Sequence, residues 1–93
     1  MSVSVRIPTI LRTYTDGASE VEIEPAEPTL AGALDALEAL APGIRARVLD
    51  DEGKLRRFVN VYVDDEDVRF TDGLATPVAD RARISVIPAV AGG

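Results

Sequence analysis

The stretch from Pro28 to Gly43 constrains the fold of this chain most, because its apolar residues keep a helical period. Leu30, Ala33, Leu34, Leu37 and Leu40 form one stripe, and Asp35 and Glu38 fall off it. Thr29 suits the N-cap, with Glu27 near the positive end of the helix dipole, and Ala41-Pro42-Gly43 stops the helix. An apolar stripe on a single helix needs a cover. The leucine stripe is therefore expected to be core, packed on a sheet built from the flanking segments.

Those segments read as strands. Val3, Val5 and Ile7 alternate with Ser4, Arg6 and Pro8, which gives a first strand with one buried face. Asp16-Gly17 signals a turn, and Glu20 to Glu24 alternates again, so a β-hairpin with an acidic, solvated outer face is expected. Pro25 and Pro28 close it. After the helix, Ile44, Val48 and Leu49 can extend one helical turn, and Asp50 to Gly53 is a polar turn. Lys54, Arg56 and Arg57 suit either an acidic partner or a solvated strand edge, and the second reading is adopted.

Phe58 to Val63 is the strongest strand, interrupted only by Asn60. Its apolarity fits a central strand covered on both faces, or one whose outer face meets a partner. Asp64-Asp65-Glu66-Asp67 reads as a solvated turn, since the glycine and distal glutamate of a calcium loop are missing. Val68-Arg69-Phe70 is expected to pair briefly, Asp72-Gly73 to turn, and Leu74 to Val78 to be irregular. Asp80 to Arg83 leads into Ile84-Ser85-Val86-Ile87, and pairing is expected to stop at Pro88, which lacks a donor.

The order is strand, strand, helix, strand, short strand, final strand. This is an α+β chain whose expected architecture is the ubiquitin-like β-grasp: a mixed sheet with one main helix packed across it. A ferredoxin-like split unit competes, but only one helix is well supported.

Composition narrows function. Sixteen acidic residues against ten basic ones give a net charge of −6, which argues against nucleic acid as a partner. With no Cys and no His, the chain lacks thiolate nucleophiles, the usual zinc ligands and the commonest general base. No apolar run reaches the ~20 residues of a membrane span and no signal peptide is evident, so a cytoplasmic protein with no membrane partner is expected. The final residues, Ala89-Val90-Ala91-Gly92-Gly93, are small and end in Gly-Gly, whose backbone can enter a channel too narrow for side chains. A frayed terminus is the plain alternative. The expected division is a domain over 1–88 and a flexible tail over 89–93.

Three segments carry a resemblance: residues 7–12 (IPTILR), 58–70 (FVNVYVDDEDVRF) and 87–93 (IPAVAGG). With a β-grasp order ending in Gly-Gly, the chain resembles the ubiquitin-like sulfur carriers of the MoaD/ThiS family, most of all the actinobacterial CysO branch serving cysteine biosynthesis. It departs from that pattern at Asp80-Arg81-Ala82-Arg83, where relatives often have Gly-Asp.

The resemblance implies a protein cosubstrate with no catalytic residues and no bound cofactor or metal. An E1-like adenylyltransferase/sulfurtransferase, using ATP and Mg, would adenylate the Gly93 carboxylate and convert it to a thiocarboxylate. The tail from Ala89 to Gly93 would enter partner active sites. Implied acceptors are a PLP-dependent cysteine synthase or a thiazole-synthase-like enzyme, with a JAMM-type metalloprotease releasing cysteine. The small subunit of molybdopterin synthase and a ubiquitin-like protein modifier are the alternatives. Pro8, Phe58, Tyr62 and Ile87 are the expected docking patch, with core or scattered surface apolars as the plain reading.

Overall fold

The computed structural model describes residues 1–88. The five strands are β1 (Val3–Arg6), β2 (Glu20–Ile23), β3 (Val59–Val63), β4 (Glu66–Asp67) and β5 (Arg83–Pro88). They form one sheet in the order β2-β1-β5-β3-β4. β1 and β5 run parallel at its centre, with antiparallel pairs β1–β2, β3–β5 and β3–β4 on either side. Helix α1 (Leu30–Leu40) covers one face, and a single turn, α2 (Arg45–Val48), follows it. The mixed sheet under one main helix is the β-grasp arrangement read from the element order.

Side-chain alternation sorts the sheet into two faces. Val3, Val5, Ile23, Val61, Val63, Ile84 and Val86 point under α1 and are buried with Leu30, Ala33, Leu34 and Leu37. Register places Ser4, Arg6, Glu20, Glu22, Asn60, Tyr62, Ser85 and Ile87 on the opposite, open face. The acidic outer face of the hairpin is thus observed. β3 is not covered on both faces: Asn60 and Tyr62 are only half-buried. Asn60 interrupts the apolar run because its side-chain oxygen accepts from the Arg69 guanidinium at 2.7 Å. The same guanidinium donates to the Arg56 carbonyl at 2.7 Å, tying the approach to β3 to the segment beyond β4.

Helix α1 begins as its sequence implies, with Thr29 Oγ1 accepting from the Gly32 amide at 3.1 Å. The stripe needs one correction. Leu40 is 54% exposed and Ala41 is buried instead. At about 100° per residue, Ala41 falls within about 20° of Leu30 around the axis while Leu40 lies about 80° away. Ile44, Val48 and Leu49 are buried around α2, as expected of an added helical turn.

The hairpin is real, but its connection is long. A 3₁₀ helix over Thr9–Thr15 precedes the Asp16-Gly17 turn, where both residues have positive φ. Asp64 and Asp65, at φ 50° and 72°, make the tight two-residue turn between β3 and β4. Val68–Phe70 is not a strand. Asp67 Oδ1 accepts from the Arg69 amide at 2.9 Å and caps a 3₁₀ turn there. A further 3₁₀ turn spans Gly73–Ala75, running from the expected turn into the stretch expected to be irregular, and Pro77 bridges back to Thr29. At the departure from the family pattern, Arg81 adopts φ 67°. The turn is held by the Ser2 amide donating to Asp80 Oδ1 at 2.9 Å.

Candidate functional site

The tail from Ala89 to Gly93, where the sequence reading places the reactive end, lies outside the described residues. What the fold does show is the platform that leads to it. β5 lies at the centre of the sheet and runs in register to Pro88, which sits opposite Val59. Proline has no amide to donate, so it serves as the last residue of a strand but not as a central rung.

Two concavities meet at Val86 and Pro88. On the helix side, one of about 310 Å³ is lined by Ile10, Tyr14, Arg47, Val59, Val86 and Pro88, among others. On the open side, one of about 350 Å³ is lined by Arg6, Pro8, Arg12, Ser85, Ile87 and Pro88, among others. Each is shallow and mixed in polarity, suited to contact with another surface. Among the described residues no group of His, Cys, Asp or Glu is placed to hold a metal ion.

Of the expected docking residues, Pro8 and Ile87 share the open-side concavity. Ile87 is 48% exposed and points away from Ile84 and Val86, because its register partner is Asn60. Tyr62 lies on the same face one rung further along, opposite Ser85. Phe58 is 54% exposed just before β3, with the Arg57 guanidinium 5.9 Å from its ring centre. Pro8, Ile87 and Tyr62 therefore share one face, and Phe58 stands at the edge of the strand that carries Tyr62.

Sequence reasoning did not single out Ile10, Arg6, Arg12 or Arg47, all of which line the end of β5. Ile10 is 64% exposed, at the start of the 3₁₀ segment that replaces an ordinary hairpin loop. The Arg12 side chain donates to the Ile7 carbonyl at 3.1 Å, and Arg47 donates to the Tyr14 hydroxyl at 2.8 Å. The Tyr14 hydrogen bond raises the pKa of Arg47, so this cation is held both in place and in charge. These residues come from three separate segments, β1, the 3₁₀ helix and α2, and no local pattern announces their meeting.

Residues 5–93 match the model of the ThiS family. The chain is 50% identical over 95 residues to the sulfur carrier protein CysO of Mycobacterium tuberculosis, covering all of both chains. It is 38% identical over 65 residues to small archaeal modifier protein 3 of Haloferax volcanii, covering 70% of each. Its structure superposes on a chain in the crystal structure of the Amycolatopsis orientalis BexX/CysO complex with a TM-score of 0.88 at 49% identity, covering 98% of this chain and 99% of the other.

Proposed function

Since this chain belongs to the ThiS family, we propose that it is a sulfur carrier whose Gly93 carboxylate is adenylated, converted to a thiocarboxylate and used as a sulfur donor in biosynthesis. The observation that carries the reading is the full-length, 50% identity to a sulfur carrier protein. A carboxylate is a poor electrophile. Its oxygen attacks the α-phosphate of ATP and expels pyrophosphate, and the acyl-adenylate then has a good leaving group. Incoming sulfur adds at the carbonyl carbon and AMP departs, leaving a sulfur nucleophile that is anionic near neutral pH. Tethering that sulfur to a folded body raises its effective concentration at the acceptor site.

The carrier contributes presentation rather than catalysis, which suits a chain without His or Cys. An E1-like adenylyltransferase/sulfurtransferase supplies the ATP and Mg chemistry. The acceptor is a PLP-dependent cysteine synthase acting on an activated serine, after which a JAMM-type metalloprotease frees cysteine from the tail. A thiazole-synthase-like enzyme is a further acceptor of the same sulfur. The complex of a similar CysO chain with BexX supports docking of this fold on a partner protein. Pro8, Phe58, Tyr62 and Ile87 are the apolar part of the docking surface, and the segment Ala89 to Gly93 enters the partner's active site.

The likeness to small archaeal modifier protein 3 favours one alternative, a protein modifier joined to lysines through Gly93. Intact-mass measurement after incubation with the E1-like enzyme, ATP, Mg and sulfide separates the two. The carrier reading expects exchange of one oxygen for sulfur, abolished by deletion of Gly93. Isopeptide conjugates in a lysate, without that exchange, would overturn it.

A further inference from the structure

The charges around the two ends of β5 differ. At its start, Arg81 and Arg83 line a concavity together with Asp64 and Asp65. At its end, Arg6, Arg12 and Arg47 line the two concavities that share Val86 and Pro88, and among the described residues no carboxylate lines either. This occurs in a chain where acids outnumber bases sixteen to ten. Among the described residues, ion pairs within 4.0 Å join only Arg45 to Asp35 and Lys54 to Glu52, so none of the three arginines is neutralised in this way. Glu20 is the cross-strand neighbour of Arg6 but makes no such pair with it.

We propose that Arg6, Arg12 and Arg47 form a cationic collar at the end of β5 that docks an acidic surface on the protein receiving the tail. The inference rests on the carrier reading and names the chemistry of its partner. Ile10 lines the same concavity as Arg47, and Pro8 and Ile87 the same one as Arg6 and Arg12, so apolar contact area accompanies the cations on both sides of Pro88. Discrete carboxylates fit the collar better than a phosphate polymer does, because Glu20, Glu22 and Glu24 lie on or beside the adjacent β2 and would repel a continuous line of negative charge. Such rims act chiefly on encounter rate and orientation. Arg12 and Arg47 are already held by hydrogen bonds, so little freedom is lost on docking.

The test is steady-state adenylation of the full chain by the E1-like enzyme, across a series of salt concentrations. Combined Arg6→Gln, Arg12→Gln and Arg47→Gln should raise KM for the carrier by about tenfold, leave kcat unchanged and flatten the salt dependence. Arg6→Gln alone, which removes no side-chain hydrogen bond seen among the described residues, should shift KM in the same direction without altering the thermal midpoint. Unchanged KM and salt dependence in both variants would overturn the collar. A second measurement needs no enzyme. In an NMR titration, a hexaglutamate peptide should perturb the amides around Arg6, Arg12 and Arg47. Equal or stronger perturbation by inorganic pyrophosphate would instead indicate a phosphate site and overturn the proposal. If the wild-type chain is not adenylated at all, the carrier reading fails, and the titration still decides the collar.

Discussion

Gly32 shows how tightly single positions are specified. A Cβ added there would collide with the carbonyl oxygen and the Cβ of Glu27, so the first turn of α1 can lie against the chain that enters it only as glycine. Gly32→Ala should destabilise the fold by about 1–3 kcal/mol despite the better helix propensity of alanine, as read from urea unfolding. Glu38 has a comparable local duty. Its two carboxylate oxygens accept from the amides of Gly43 and Arg45, each at 2.9 Å, which satisfies the turn between the helices. Those backbone hydrogen bonds, from Gly43 first and then Arg45, lower its pKa below the ordinary carboxylate value, with the Arg45 charge adding to the effect. A depressed folded-state pKa means stability that is present above the unfolded value and lost as pH falls through the folded one. Glu38→Gln should therefore lower the thermal midpoint at neutral pH. The gap from wild type should close as pH is taken down through and below about 4.

Among the elements, α1 was the most legible and also shows where a pattern blurs. The stripe predicted the buried face, yet its last member fell on the wrong side of a rotating helix. Leu34→Ala should cost about 2–5 kcal/mol in chemical unfolding, whereas Leu40→Ala should change stability by less than about 1 kcal/mol. Val68-Arg69-Phe70 reads as a strand by propensity. It forms a 3₁₀ turn because Val68 is buried while Phe70, at 88% exposure, has no sheet to join. Asp67 ends the pairing with β3 by using its side chain on the backbone ahead, a competition that side-chain propensity does not register.

For the whole molecule, the proposed function rests on what lies around the end of β5. Ile87 is exposed on the open face, so Ile87→Asp should leave the folded state and its circular dichroism intact while impairing adenylation of Gly93. Turnover equal to wild type would remove the apolar patch from the proposal. Legible in the residues alone were the order of elements with the last strand returning to the centre, the helix and its cap, the turn at Asp16-Gly17 and the small-residue ending; the acidic turn was read over Asp64 to Asp67, of which Glu66 and Asp67 form the short strand instead. The helix, its cap, the turn and the ending are local properties, fixed by backbone preference and by the alternation of apolar and polar residues. It took the assembled fold to show that Leu40 faces water and that Arg6, Arg12 and Arg47 line the concavities beside Pro88. Such features depend on contacts between residues far apart in the chain, whose pairing is set by the geometry of the assembled sheet and helix rather than by the residues on either side.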